Sequence, residues 1–518
     1  MESPSQPVPG APGQGPASDT RGDRLLLSGK DLVYHLRPSP CDLRVYLREH
    51  GAPVAPPSPF DDMISRLGRR HEVVELTRLQ PVVNLSDGSL DERARRTRSE
   101  VASGAEVIYQ GVLKIDSVVA GMPATLVAIP DFLVRGTSGY AIRDSRLAAG
   151  AAQESHHEVV LRLQLAGHLF RETLGQEPVG LEVATGRGVV VNVDDDAGVR
   201  ALERLAHLAR LKRLTEPPYE AVDWFKCHAC AFVRSCWREA VDRGDVACLP
   251  MVDESLARTL HGQGVDTVAL LLETFDKDAL AALGGSSPAG SERLGYEAAD
   301  AVLRAARALL SGHDDLYALP DLPLADNYVA FDSEGLPPEY DELDHVYVWG
   351  IRVFGTLPSP YTAAMATGDP DGDYVGWFGF LTEVAALFGY YGDLPFVHWG
   401  DDERLAVERY IERHGDPDGV AARVLTNLVD LEELIRSCVA LPLPSNSLQE
   451  MSRYAGAQRD FDQYGREWSL AKYIEVVETG DEFQRSGLVG QVQSNNREDL
   501  EATYVVLRWL LARAAERR

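Results

Sequence analysis

Cys227-His-Ala-Cys230-Ala-Phe-Val-Arg-Ser-Cys236-Trp237 packs three cysteines into one short stretch. Thiols clustered in a chain that carries no export signal are read as metal ligands rather than as disulfide partners. Tetrahedral metal and cluster sites take four protein ligands. The strongest candidate for the fourth is Cys41, far upstream in Ser39-Pro40-Cys41-Asp42-Leu43. Cys248 competes for that place, whereas Cys438, among Leu434, Ile435 and Val439, reads as a buried thiol of an apolar helix. Zinc and a four-iron cluster both accept four thiolates, so the residues leave the metal open, and His228 is a further candidate ligand for zinc. If Cys41 joins the three, the metal ties the first helix of a domain to its last one.

At 518 residues the chain has room for two or more domains, each with its own core. No apolar run is long enough to span a bilayer. The first 22 residues, rich in Pro, Gly and Ser, lack the charged and apolar regions of a signal peptide and read as a disordered tail. A cytoplasmic location without membrane contact follows by default. The net charge of -28 excludes a broad basic surface that coats nucleic acid. Nucleic-acid contact must then use local basic strips. The candidates are Arg66, Arg69 and Arg70, then Arg93, Arg95, Arg96 and Arg98, then Arg204, Arg210, Lys212 and Arg213.

Between the tail and the cysteines, Leu32 to His50 is expected to be extended chain followed by a helix entered at Cys41. A second helix, from about Asp61 to Arg78, places His71 and Glu75 on one face. From Val107 to Asp144 the pattern becomes that of strands, with glycines at the turns. Arg135 and Tyr140 bracket Gly136-Thr-Ser-Gly139, a four-residue hairpin loop. Counting outward from it pairs Val134 with Ala141, Leu133 with Ile142, Phe132 with Arg143 and Asp131 with Asp144. Directly opposed residues have their Cβ atoms about 5 Å apart on one face, so two carboxylates there repel unless a positive charge lies between them. The helix Glu158 to Phe170 is apolar almost all round and should be buried, which leaves Gln164 in need of a buried partner. His71, Asp131 and Asp144 are the candidate ligands of one or two divalent ions, Mg2+ or Mn2+, with Arg146 on the same strand face to stabilise charge.

These residues together resemble a known family. The set Cys41, Gly68-x-x-His71-Glu72, Pro130-Asp131, Asp144-Ser-Arg146, Gln164, Cys227, Cys230 and Cys236 resembles the RecB-like nucleases of the PD-(D/E)xK superfamily that carry an iron-sulfur staple. The resemblance spans residues 25 to 245. It implies a 4Fe-4S cluster on the four cysteines and metal-dependent cleavage of DNA, single-stranded by preference. Two positions depart from the family pattern: Arg146 stands at its lysine, and its Q-x-x-x-Y motif reads Gln164-Leu-Ala-Gly-His168. Arginine keeps the positive charge but does not donate a proton as an ammonium does.

Beyond Cys248, Ser255 to Leu283 has a helix, glycine turn, helix rhythm similar to a helix-hairpin-helix unit or to a plain helical connector. A Gly/Ser linker follows at Gly284 to Gly290. The C-terminal part begins with a strand, Asn327 to Phe331, that runs into Asp332 and Glu334, and period two puts both acids on one face. It ends in a long helix from Asn496 to Arg513 that carries Asp499. Phe331-Asp332-Ser-Glu334, His398-Trp-Gly-Asp-Asp-Glu403, Leu428-Val-Asp430-Leu431 and Asn496-Arg-Glu-Asp499 resemble the RNase H-like domain fused to such nucleases, of the DnaQ/YprB type. That resemblance implies two-metal hydrolysis on Asp332, Glu334, Glu403 and Asp499, with Asp402 a rival for the third place and Asp430 a structural acid. Enzymes of that class set a His or Tyr just before the last Asp as general base, where this chain has Ser494 and Asn495.

The expected fold is therefore α/β. A RecB-like restriction-endonuclease-type core with an iron-sulfur staple (23–248) leads through a helical connector (249–315) to an RNase H-like α/β domain (316–518). The expected function is a Mg2+- or Mn2+-dependent nuclease acting on DNA. The alternative is a catalytically impaired nucleic-acid-binding scaffold with the same cluster that serves a helicase or nuclease partner.

Overall fold

A computed structural model describes residues 24–146, 157–186, 188–222, 224–227, 230–283, 294–336, 345–366, 372–458 and 466–517. The expected tail, the linker from Gly284 to Gly290 and His228 lie outside them. The chain is mixed α/β. No helix of the described residues is long and apolar enough to cross a membrane.

The first half begins with β1 (Leu25–Ser28), α1 (Gly29–Leu36), α2 (Asp42–Glu49) and α3 (Pro59–Arg78). Leu32 to Leu36, expected to be extended, belong to α1, because Ser28 and Asp31 close a capping box at the start of an amphipathic stretch. Next come β2 (Val83–Asn84), α4 (Leu90–Ser103), β3 (Val107–Tyr109), β4 (Leu113–Val119), β5 (Met122–Ala128), β6 (Phe132–Arg135) and β7 (Tyr140–Ser145). The segment closes with α5 (His157–Leu174), β8 (Gly180–Ala184), β9 (Val190–Val193) and α6 (Val199–Leu211). Two sheets result, one ordered β1-β5-β4 and one ordered β2-β3-β6-β7-β8-β9. Helix α5 packs against strands of both, which is why it is apolar on nearly every side.

The middle of the chain is helical: α7 (Trp224–Cys227), α8 (Val233–Arg243), α9 (Glu254–Gly262), α10 (Val268–Thr274), α11 (Lys277–Ala281) and α12 (Tyr296–Ser311). Its apolar core runs from Ala221 to Ala306, with Cys227 and Trp237 packed on it. The cysteine stretch shares this core, while Cys41, its expected partner, begins a helix that packs on the core of the first half.

The last part comprises β10 (Asp315–Leu316), β11 (Asn327–Gly335), β12 (Val346–Gly355), β13 (Thr362–Met365), α13 (Gly372–Tyr391), β14 (Phe396–His398), α14 (Asp402–His414) and α15 (Val420–Asn427). It continues through β15 (Leu428–Asp430), α16 (Leu431–Cys438), β16 (Val439–Ala440), α17 (Leu448–Tyr454), α18 (Arg466–Glu478) and α19 (Glu482–Arg517). The sheet order is β13-β12-β11-β14-β15, antiparallel from β13 to β11 and parallel from β11 to β15. Alternation along β11 divides its side chains between two cores. Val329 and Phe331 meet α13, α14 and α15, whereas Tyr328 and Ala330 meet α16 and α19. Asp332 and Glu334 continue the second set, on the side of α19.

Helix α3 joins the two halves. Met63 and Leu67 near its start pack with Tyr347, Leu470, Tyr473, Ile474 and Val492 of the C-terminal part. The basic strip Arg66 and Arg70 is turned to that contact and pairs with Glu478.

Candidate active sites

The β6–β7 hairpin has the register obtained by counting from its turn, with Phe132, Leu133 and Val134 opposite Arg143, Ile142 and Ala141. The two acids at its open end are interlocked. Asp131 donates its backbone N–H to Asp144 Oδ1 at 3.1 Å, and Asp131 Oδ2 accepts from the Ser145 backbone N–H at 2.8 Å. Both are buried, Asp144 almost completely. The positive charge that the pair requires is supplied from within the chain. Arg162 of α5 donates from Nε to Asp144 Oδ2 at 2.7 Å, holds the same oxygen through Nη2 at 2.7 Å, and brings Nη2 to 3.5 Å from Asp131 Oδ1. Arg146 adds contacts of 3.4 Å to Asp144 and 3.8 Å to Asp131. Burial and then the charge of Asp144 push Asp131 up to about 6, against the pull of the two arginines. Asp144 is buried too, but Arg162 and Arg146 together hold it below the usual carboxylate range.

The other expected members of this site stand apart from that pair. His71 turns its Nε2 toward the Ala184 carbonyl at 3.3 Å. Gln164 donates its amide N–H to the Asp194 carbonyl at 2.9 Å, while its Oε1 is buried without a hydrogen bond. His168 packs against Gly198, whose φ of 84° and missing Cβ allow the close approach. Gln164 and His168 thus hold the turn from β9 into α6. Residues that the sequence reading passed over do reach the acids. Gln110, in a left-handed conformation at φ 56°, directs Nε2 to Asp131 Oδ1 at 3.3 Å and to Glu72 Oε1 at 3.1 Å. Arg162 had a legible signal, an arginine set among the buried apolar residues Val160, Leu161, Leu163 and Leu165. Its stem runs so close to Gly29 that a Cβ there would lie 2.6 Å from Arg162 Cγ.

In the C-terminal sheet, Asp332 and Glu334 share a face, as their spacing requires, and α19 brings Asp499 to them. Each of the three offers an oxygen within 4.8 Å of the others. Leu488, Val492, Leu500, Leu507 and Leu510 form the buried stripe that lays α19 on the sheet, and Asn495 and Asn496 interrupt it. Buried amides need partners, and these find carboxylates. Asn495 Nδ2 stands 3.4 Å from both Glu334 Oε1 and Asp499 Oδ2, and Asn496 Nδ2 donates to Asp332 Oδ2 at 2.5 Å. The Tyr347 hydroxyl donates to Glu334 Oε2 at 2.6 Å.

Glu403 is not in this group. Its Oε1 accepts from the Ser333 backbone N–H at 3.2 Å, beyond the point where β14 stops pairing with β11. Its Oε2 is buried without a hydrogen bond, 3.5 Å from His398 Nδ1. Asp430 is structural: it accepts from the Gly400 N–H at 3.0 Å and caps α16 through the Glu432 N–H at 2.8 Å.

Gly350, opposite Asp332 on β12, lies directly beneath Asn496. A Cβ at that position would collide with the Asn496 side-chain amide. Gly350→Ala is accordingly expected to displace Asn496 from Asp332 and to destabilise the chain by about 1–3 kcal/mol, as overpacking does. Chemical denaturation of wild type and variant checks this. An unchanged midpoint and slope would show that the amide has room to move.

The four cysteine positions of the expected cluster come from two segments that dock on each other. Cys41 is the N-cap of α2 and accepts the Arg44 N–H at 3.3 Å, while the Arg44 guanidinium brings Nη1 to 3.8 Å from Cys230 Sγ. The Ser39 hydroxyl donates to the Lys226 carbonyl at 2.9 Å, next to Cys227. Burial raises the Cys41 thiol to about 12, and burial with the nearby Cys230 and Cys227 raises Cys236 to about 11. None of the six cysteines forms a disulfide. Among the described residues, the groups of three metal-type ligands within 4.8 Å of one another are Asp332–Glu334–Asp499 and His35–Asp42–His207; the cysteines do not form such a group.

No family model, curated protein or solved structure matches the chain. Its two acid sites must be weighed on their own geometry. In the first, two guanidiniums already occupy the space around the carboxylates, which leaves the donor set poorly suited to a cation. In the second, three carboxylates converge and are steered by amide and hydroxyl donors, a donor set that suits Mg2+ or Mn2+.

Proposed function

We propose that this chain is a divalent-metal-dependent nuclease whose hydrolytic centre is the acid trio Asp332, Glu334 and Asp499. In this reading the C-terminal part is an RNase H-like domain and the first half a RecB-like fold. A 4Fe-4S cluster on Cys41, Cys227, Cys230 and Cys236 ties that half to the helical middle. The observation that carries the reading is the convergence of the trio. Its carboxylates come from β11 and from α19, more than 160 positions later in the sequence, and meet within 4.8 Å.

Bound Mg2+ or Mn2+ would supply a polarised phosphoryl oxygen and an activated water. The chain's own residues set the carboxylates for it. Asn495 spans Glu334 and Asp499 and fixes their separation. Asn496 and Tyr347 each fix one rotamer, of Asp332 and of Glu334. An amide at position 495 takes no proton, so Asn495 serves as a positioning group and not as a base. For the cluster, the docking of the Cys41 segment on the Cys227 to Cys230 turn supports the ligand set that the family resemblance implies.

The test is digestion of end-labelled single-stranded DNA by the purified chain. Cutting is expected with Mg2+ or Mn2+ and none in EDTA. Absence of cutting with either ion removes the proposal and leaves the scaffold reading. That second reading has its own support, since Asn495 replaces the expected His or Tyr and the first acid pair is filled by Arg162. It predicts DNA binding that no divalent ion turns into cleavage.

A further inference from the structure

Beside the acid trio lies an open cavity of about 400 Å³ lined by Arg352, Tyr361, Arg497, Glu498 and Glu501. From its position and chemistry, we infer that it is a phosphate-holding subsite in which Arg352 and Arg497 grip a phosphodiester of a single-stranded polynucleotide next to the bond being cut. The inference rests on the hydrolytic reading of the trio for its purpose, though not for its chemistry.

The wall of the cavity is wired to the trio. The Tyr361 hydroxyl donates to Asn496 Oδ1 at 3.0 Å, and Asn496 Nδ2 donates to Asp332 Oδ2 at 2.5 Å. Sheet register gives the same proximity. Arg352 faces Ala330 across β11 and β12, one same-face step from the pair Asp332–Gly350, so its side chain rises on the α19 side beside Asp332. On α19, Arg497 lines the same cavity one turn before Glu501, on the helix face turned away from Asp499. A strand whose scissile bond lies at the trio would reach these two guanidiniums with a neighbouring phosphate past Asn496 and Tyr361.

The arginines are suited to receive it. Arg497 is exposed, and its Nη2 donates to the Ser494 hydroxyl at 3.2 Å. Arg352 stacks on Phe354 at 4.7 Å, which fixes the plane of its guanidinium, and its Nε is buried without a hydrogen-bond partner. An unmet buried donor is costly, and a phosphate oxygen satisfies it. Arg352 Nη1 is held at 2.7 Å by Glu501, a residue whose side chain is 49% exposed. Glu501 thus competes with an incoming phosphate and is free to swing out when one arrives. Glu498 adds a second negative charge at the rim, which disfavours a loose anion and leaves the site to one that is delivered by a tethered strand. Burial and then the charges of Glu334 and Asp332 raise the Tyr361 hydroxyl, which stays a donor.

The experiment measures binding of a short fluorescent oligodeoxythymidylate, with an oligouridylate as second probe, to the full chain in EDTA, where nothing is cut. Arg352→Ala and Arg497→Ala are each expected to weaken binding about tenfold, the loss of one charge-assisted contact. Each should also lower the salt slope of log Kd by about one. Glu501→Gln is expected to tighten binding severalfold, a gain that misfolding cannot mimic. With Mg2+ or Mn2+, the arginine variants should raise KM and leave kcat nearly unchanged. No binding by wild type, or binding that none of the three substitutions alters, overturns the subsite. Altered binding without metal-dependent cutting by wild type keeps the subsite and discards the nuclease reading. Cutting with an unchanged KM in both arginine variants does the reverse.

Discussion

Arg162→Ala is expected to cost the N-terminal half about 3–5 kcal/mol, the loss typical when one partner of a buried ion pair is removed. The reason lies in what remains. Asp144, almost fully buried, keeps its charge because two nitrogens of Arg162 hold one of its oxygens at 2.7 Å. Without them, Arg146 at 3.4 Å, the Gln110 amide and backbone donors face two carboxylates that repel each other. Mutating Arg146 instead should cost less, since its contacts are longer. The cavity left by Arg162 would have oxygen donors and a surplus of negative charge, which are the properties of a cation site. Millimolar Mn2+ is therefore expected to raise the melting temperature of Arg162→Ala and not that of wild type. At a hundred times Kd the ion would return about 2.7 kcal/mol. A variant as stable as wild type and indifferent to Mn2+ would show that Arg162 is not what neutralises the acids.

The contrast between legible and illegible parts follows the range of each interaction. Turn counting placed Asp131 beside Asp144 because hairpin register is fixed by four local residues. Period two placed Asp332 with Glu334 for the same reason. What stands between Asp131 and Asp144 was not local: Arg162 arrives on a helix that only the packing of two sheets orients. The expectation of an open metal site between those acids therefore gave way to an internal ion pair. His71 and Gln164 followed a similar course. Gln164 is buried as its helix pattern required, but the partners of the two side chains are carbonyls of β8 and of the turn after β9, which lie far from them in the sequence. Asp499 is the opposite case: the family resemblance pointed to it, and α19 brings it to the two acids of β11. Glu403 lies close to β11 in space, where its Oε1 accepts from the Ser333 backbone N–H and stays outside the group of three.

Asp332→Asn should abolish metal-dependent cutting, by about a thousandfold or more, while leaving the fold within about 1 kcal/mol of wild type. Carboxylate and amide have nearly the same shape, and the new side chain can still offer an oxygen to Asn496, so the local packing survives. What is lost is one of the three charges that would hold the ion, and an ion that stabilises the transition state by roughly 4 kcal/mol accounts for a factor of that size. Asp144→Asn should behave in the reverse sense. It leaves Arg162 and Arg146 to share the more distant Asp131 carboxylate and costs about 3–5 kcal/mol of stability, yet the molecules that remain folded should cut at the wild-type rate. Measuring the cutting rate per folded molecule together with the denaturation midpoint separates the two effects. If Asp144→Asn stops cutting and Asp332→Asn does not, hydrolysis belongs to the first acid pair, Arg162 must leave it during turnover, and the trio on β11 and α19 has another use.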